Sequence, residues 1–153
     1  MQSISGTAPG VTLHVAPSLV ATYYAQYKKR GLAFTSEYER LPFNAILTVG
    51  PQVAAIPVDA RSWYVMASGR VKKKFQVGSY YSHSVNKYFD TSQPANYSKD
   101  FVLSSRCDFN SYFYGKIEGH FLHGTGLGYY ASTNPGGLKP NSNMLAAKIG
   151  FSF

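Results

Sequence analysis

From Asn143 to Phe153 the side chains divide into two sets, two residues apart. Leu145, Ala147, Ile149, Phe151 and Phe153 lie on one face, and Met144, Ala146, Lys148, Gly150 and Ser152 on the other. Successive side chains of a strand point to opposite faces, so this segment has one apolar side and one small or polar side. The chain ends on an aromatic residue with no polar tail, whereas the termini of soluble domains are usually frayed and polar. A membrane β-barrel strand shows this pattern, with apolar residues towards lipid and polar ones towards the lumen. An edge strand of a soluble sandwich carries the same alternation, so this segment alone leaves both readings open.

The same two-residue period runs through the chain. Leu19, Ala21, Tyr23, Ala25 and Tyr27 oppose Val20, Thr22, Tyr24, Gln26 and Lys28. After a short Lys29-Arg30-Gly31 link, Leu32, Phe34, Ser36 and Tyr38 oppose Ala33, Thr35, Glu37 and Glu39. Trp63 to Arg70 and Phe75 to Ser82 form a second pair across Lys72–Lys74. Phe101 to Phe109 and Phe113 to Leu122 form a third across Asn110-Ser111. Between the pairs, residues 41–61, 86–98 and 124–143 are rich in Pro, Gly, Asn and Ser and read as long loops. This gives about seven strands, eight if Ile4 to Pro17 counts, in a single domain over residues 1–153. Short and long connections alternate strictly. An up-and-down outer-membrane barrel has short turns at one rim and long loops at the other. Greek-key links in a sandwich have no reason to alternate. The expected fold is therefore all-β, an antiparallel up-and-down transmembrane β-barrel.

Composition agrees. Aromatics make up 16% of the chain and charged residues only 14%, against roughly 25% charged in soluble domains. No apolar run reaches the roughly 18 residues of a transmembrane helix, so a helical membrane protein is excluded. The formal net charge of +8 is concentrated in Lys28-Lys29-Arg30 and Lys72-Lys73-Lys74. These clusters fit solvated turns better than nucleic-acid binding, since no recognised nucleic-acid motif accompanies them. Cys107 is the one cysteine, so neither a disulfide framework nor a cysteine metal site is available. Met1 to Thr12 is polar and lacks the basic-then-apolar pattern of a secretory leader, which for an exported protein suggests a mature chain or a fragment.

No catalytic constellation emerges, and the chain is expected to be neither an enzyme nor a cofactor or metal protein. His120 and His123 are three apart on a strand and point to opposite faces, so with His83 they do not make a ligand set. Gly124-Thr125-Gly126-Leu127-Gly128 precedes Tyr, Pro and Asn and opens no helix, so it lacks the geometry of a phosphate loop. The charges instead gather on one side of the strands: Lys28, Glu37, Glu39, Arg70, Asp100, Arg106, Asp108, Lys116, Glu118 and Lys148. A mid-plane Lys or Arg facing lipid would cost roughly 2–4 kcal/mol, and the alternation avoids this almost everywhere.

The stretch Ser98 to Asn110 resembles the "K-D-W-x-x-S-x-R-Y-D-x-N" strand and turn of bacterial outer-membrane porins of the phosphate-selective porin-like family, with Phe101 and Cys107 as departures. Lys116 to His120 and Ala146 to Phe153 are similar as well, and the likeness extends over Tyr23 to Phe153. The resemblance implies a larger barrel of about sixteen strands, often a homo-trimer, of which this chain would be the C-terminal half. It also implies that the terminal Phe153, with Phe151, is the signal read by the barrel-assembly machinery. Phosphate selectivity does not carry over, because the lysine-rich constriction has no counterpart that aligns.

The expectation is thus a porin of the bacterial outer membrane, passing small hydrophilic solutes, anions among them, by diffusion. Glu37, Glu39, Arg70, Arg106, Lys116, Glu118 and Lys148 would line the pore, while Leu103, Ile117, Phe121 and Ile149 would face lipid. Two alternatives remain open. A small barrel filled by its own side chains would have a structural or adhesive role. A soluble lipocalin-like barrel binding a ligand would have to turn its apolar face inward.

Overall fold

The computed structural model describes residues 4–16, 18–126, 137 and 139–151. Nine strands form one antiparallel sheet: β1 (Ile4–Ala8), β2 (Val11–Val15), β3 (Ala21–Lys29), β4 (Leu32–Val49), β5 (Gln52–Lys72), β6 (Phe75–Asn86), β7 (Tyr97–Asp108), β8 (Phe113–His123) and β9 (Asn141–Phe151). The order across the sheet is β1-β2-β4-β5-β6-β7-β8-β9, with β3 also paired to β4. The all-β antiparallel architecture expected from the alternation is what forms. Among the described residues the sheet is open, not closed: β9 pairs with β8, and β3 with β4.

Two expectations need correction. Ile4 to Val15 makes two strands, so the count is nine and not seven or eight. Residues 41–61 are not a loop. They continue β4 and β5, which run in unbroken register from Leu32↔Gly69 to Val49↔Gln52. Pro42 and Pro57 break no ladder, because each sits where its strand has a partner on one side only. β3 covers β4 as far as Arg40 and β2 resumes at Ala45, leaving Pro42 in the gap. The pairing of β5 with β6 begins at Ala60, leaving Pro57 on an edge. Edge positions are where a sheet tolerates a residue without an N–H donor. The four segments β1, β2, Ala45–Val49 and Gln52–Ile56 thus build an extension beyond the main sheet.

The short connections are tight. Arg30 and Gly31, at φ 49° and 82°, make a two-residue turn of the kind whose twist suits antiparallel strands, and glycine tolerates the second position at no steric cost. Across the next turn, β5 carries a bulge between Arg70 and Lys72. At the third, the Asn110 side-chain oxygen accepts hydrogen bonds from the Tyr112 and Phe113 amides, both at 2.8 Å.

The sheet is a single layer with almost no interior. Among the described residues, Ala45 and Val102 are the only buried hydrophobic side chains. The accessible surface is 10989 Å², whereas a compact 16.8 kDa monomer would expose about 7,600 Å². The apolar side chains of one face are therefore solvent-exposed in the isolated sheet: Phe34, Val65, Leu103, Ile117, Leu145 and Ile149 are all at least half or nearly half exposed.

Candidate functional site

Cross-strand register assembles what sequence spacing could only sort by face. On the polar side, Arg70 pairs with Gln76, Gln76 with Arg106, Arg106 with Lys116 and Lys116 with Lys148. Four of the seven candidate wall residues thus form one row across five strands. With strands about 4.8 Å apart, the row is about 19 Å long. Glu118 lies in the adjacent row, opposite Ser104. Asp108 bridges Arg70 (Nη1 to Oδ2, 3.0 Å) and Arg106 (Nε to Oδ1, 2.7 Å), and Lys116 meets Glu118 at 2.8 Å. Lys148 is exposed and makes no ion pair among the described residues. Four cations face two carboxylates here, so the band keeps a positive surplus.

Two residues that sequence reasoning passed over hold this band in place. The Arg106 guanidinium lies 3.8 Å from the centre of the Tyr114 ring, a cation–π contact. That ring lies flat across Gly150, its cross-strand partner, and a Cβ at position 150 would run into it. The glycine is thus the floor on which Tyr114 rests, and Tyr114 is the floor for Arg106. A glycine paired with an aromatic is a recurrent device in sheets.

Glu37 and Glu39 stand elsewhere. They line a shallow hollow with Ser62, Tyr64, Ser82 and Ser98, and the Tyr64 hydroxyl points to Glu37 at 3.5 Å. Tyr64 is cross-strand from Glu37 and six residues from Arg70, so about 20 Å separates acidic hollow from basic band. Between them, His120 Nδ1 contacts Asp100 Oδ2 at 2.7 Å, and Tyr80 packs edge-on against His120. Val102 is completely buried in the same row. His123 is on the opposite side, contacting Tyr97 Oη at 2.8 Å and Asn141 Oδ1 at 2.6 Å. Among the described residues no three His, Cys, Asp or Glu side chains converge to hold a metal ion.

The apolar side carries the four candidate lipid-facing residues: Leu103, Ile117, Phe121 and Ile149, exposed by 51, 56, 50 and 78%. Three successive rows across β5–β9 hold no charge: Val65-Tyr81-Phe101-Phe121-Asn143, Ala67-Ser79-Leu103-Gly119-Leu145 and Gly69-Val77-Ser105-Ile117-Ala147. Aromatic pairs border them, Trp63–Tyr81 at 5.6 Å and Phe113–Phe151 at 6.3 Å between centroids. Of the two candidate assembly residues, Phe151 ends β9 and Phe153 lies outside the described residues.

A further cluster on this side was hidden by reading 41–61 as a loop. Asp59, 2% exposed, accepts from both Arg40 (Nε 2.8 Å, Nη2 3.0 Å) and Arg61 (Nε 3.3 Å, Nη2 2.8 Å). Its own amide donates to Asn86 Oδ1. The hydrogen bonds from Arg61, then those from Arg40, hold this carboxyl well below the usual carboxylate range. Arg40 and Arg61 are direct cross-strand partners, a like-charge juxtaposition that is unfavourable by itself. No protein-family model, curated protein or solved structure matches the chain.

Proposed function

We propose that this sheet is a sector of the wall of an outer-membrane barrel that passes small hydrophilic solutes by diffusion, with a preference for anions. One observation carries the reading: over the central rows of the single-layer sheet the two faces differ in polarity. One face has three uncharged rows of exposed apolar and small side chains. The other carries the basic row with its ion pairs, whereas the charges on the first face, Arg40, Asp59, Arg61 and Lys99, lie outside those three rows. A single layer in water would leave the first face uncovered, whereas a bilayer covers it and a water-filled lumen hydrates the second. Strand length supports this: β6 to β9 have 12, 12, 11 and 11 residues, close to the roughly 9–11 residues that a tilted membrane strand requires. The open edges of β3 and β9 would be joined in the closed barrel, either to each other or to further strands. The resemblance to phosphate-selective porin-like proteins favours further strands, a trimer, and assembly through the C-terminal aromatics.

In the lumen, the band Arg70–Arg106–Lys116–Lys148 would act as a ring segment of fixed positive charge that enriches anions. The acidic hollow at Glu37 and Glu39 lies at the other end and would temper that preference along the path. The test is conductance of the refolded chain in planar bilayers under a salt gradient. Ohmic steps whose reversal potential favours anions are expected. A folded, heat-modifiable barrel without conductance would overturn the channel reading and indicate an interior filled by side chains.

A further inference from the structure

Arg40, Asp59 and Arg61 are charged residues on the apolar side, one row or more beyond the Tyr38–Trp63–His83–Lys99 row and clear of the uncharged rows. Asp59 engages the same edge of each guanidinium, Nε and Nη2. Each arginine therefore has its Nη1 and a second Nη2 proton turned away from Asp59, and the two side chains are 46 and 32% exposed. Two cations against one carboxylate leave one net positive charge. Lys99 adds a second cation one row nearer the apolar rows, with its ammonium 5.3 Å from the Tyr97 ring centre. Tyr97 itself stands in the row of Arg40 and Arg61, two strands on.

On the proposed membrane reading, which this inference rests on, Trp63 and its row lie at the interface, where amphipathic aromatics sit at headgroup level. The next row outward is then the level of lipid phosphates. We propose that the Arg40–Asp59–Arg61 cluster docks the anionic phosphate headgroup of a membrane lipid against the outer wall, with Lys99 as a second contact. Paired guanidiniums suit phosphate oxygens, since each presents a planar fork. Asp59 prevents the two arginines from repelling one another apart and sets the spacing between their outward edges.

Trp63 is the only tryptophan in the chain and is two residues from Arg61, so its fluorescence reports local lipid. The full chain is reconstituted in phosphatidylcholine bilayers containing a minor fraction of phosphatidic acid, with either lipid brominated near the headgroup end of its acyl chains. Brominated phosphatidic acid should quench Trp63 as though enriched about fivefold over its bulk share, the factor expected of one net basic charge at a membrane surface. The enrichment should fall to what Lys99 alone sustains in the Arg40→Gln/Asp59→Asn/Arg61→Gln variant, which leaves no buried charge unpaired, and persist in Lys116→Gln. In the unmodified protein it should also fall as salt is raised, a readout that does not depend on any variant folding. Quenching by the two brominated lipids in proportion to their shares would overturn the headgroup site and leave the membrane reading intact. Displacement by added inorganic phosphate would reassign the cluster to the free anion. Absence of quenching by either lipid would sink the membrane reading and this inference together.

Discussion

On the proposed membrane reading, replacing Leu103 by arginine tests which side of the sheet would meet lipid. On β7, Leu103 lies six residues from Tyr97 and six from Phe109. At about 3.3 Å per residue the two aromatics are about 40 Å apart along the strand. On the proposed membrane reading, a tilt of about 40° reduces this to about 30 Å of depth, somewhat more than the roughly 25 Å apolar band of such barrels, which puts Leu103 at the mid-plane and the Trp63–His83–Lys99 row near the edge of the band. An arginine there should destabilise the folded state by about 2–4 kcal/mol, a shift of about 30- to 900-fold in the unfolding equilibrium. The control is the next residue. Ser104 points to the polar side, its hydroxyl bonded to the Gly78 carbonyl at 3.3 Å and its cross-strand partner Glu118. Ser104→Arg would place the same side chain near a carboxylate in water, at a cost within about 1 kcal/mol. Equilibrium unfolding in guanidinium from lipid vesicles measures both. Equal losses at the two positions, or a larger loss at 104, would refute the assignment of faces.

Three further outcomes follow from the same geometry. Neutralising two of the four cations, as Arg106→Gln with Lys116→Gln, leaves the band with as many carboxylates as cations, so the anion preference in reversal potential should vanish with conductance retained. Gly150→Ala should push Tyr114 off its floor and cost about 1–3 kcal/mol by overpacking, and a second change, Tyr114→Ala, should restore part of that loss in the same unfolding assay. The Asp59 carboxyl is held below its ordinary range, so the contribution of its arginine pairs is complete above about pH 4. It is lost progressively as pH falls from there towards the depressed value; amide protection factors at β4 and β5 near Asp59 should hold down to about pH 4 and decline below it, and Asp59→Asn should abolish that acid step.

How much of this could be read beforehand differs by element. The faces could, because a period of two needs no knowledge of partners: Leu103 and Ser104 are assigned by adjacency alone. The hairpins closed by Arg30-Gly31 and Lys73-Lys74 could as well, since a tight turn fixes register locally. The continuation of β4 and β5 through 41–61 could not. Pro42, Gly50, Pro51 and Pro57 signal interruption, and only the broken cover of β4 by β2 and β3 and the start of the β5–β6 pairing at Ala60 show why Pro42 and Pro57 are harmless. With the strand hidden, Arg40, Asp59 and Arg61 had no common address. The basic row was half legible. Arg70, Arg106, Lys116 and Lys148 could be placed on one side, but their alignment depends on pairings across long connections, and Tyr114 over Gly150 depends on the β8–β9 register.

The extension has a practical consequence. Its tip at Gly50-Pro51 is reached from Trp63 along eleven residues of β5, about 35 Å of strand. On the proposed membrane reading, an epitope or protease site spliced into that tip would stand clear of the membrane surface. On that reading it would give intact cells a handle for antibodies, sorting or cleavage and report which way round the chain is inserted.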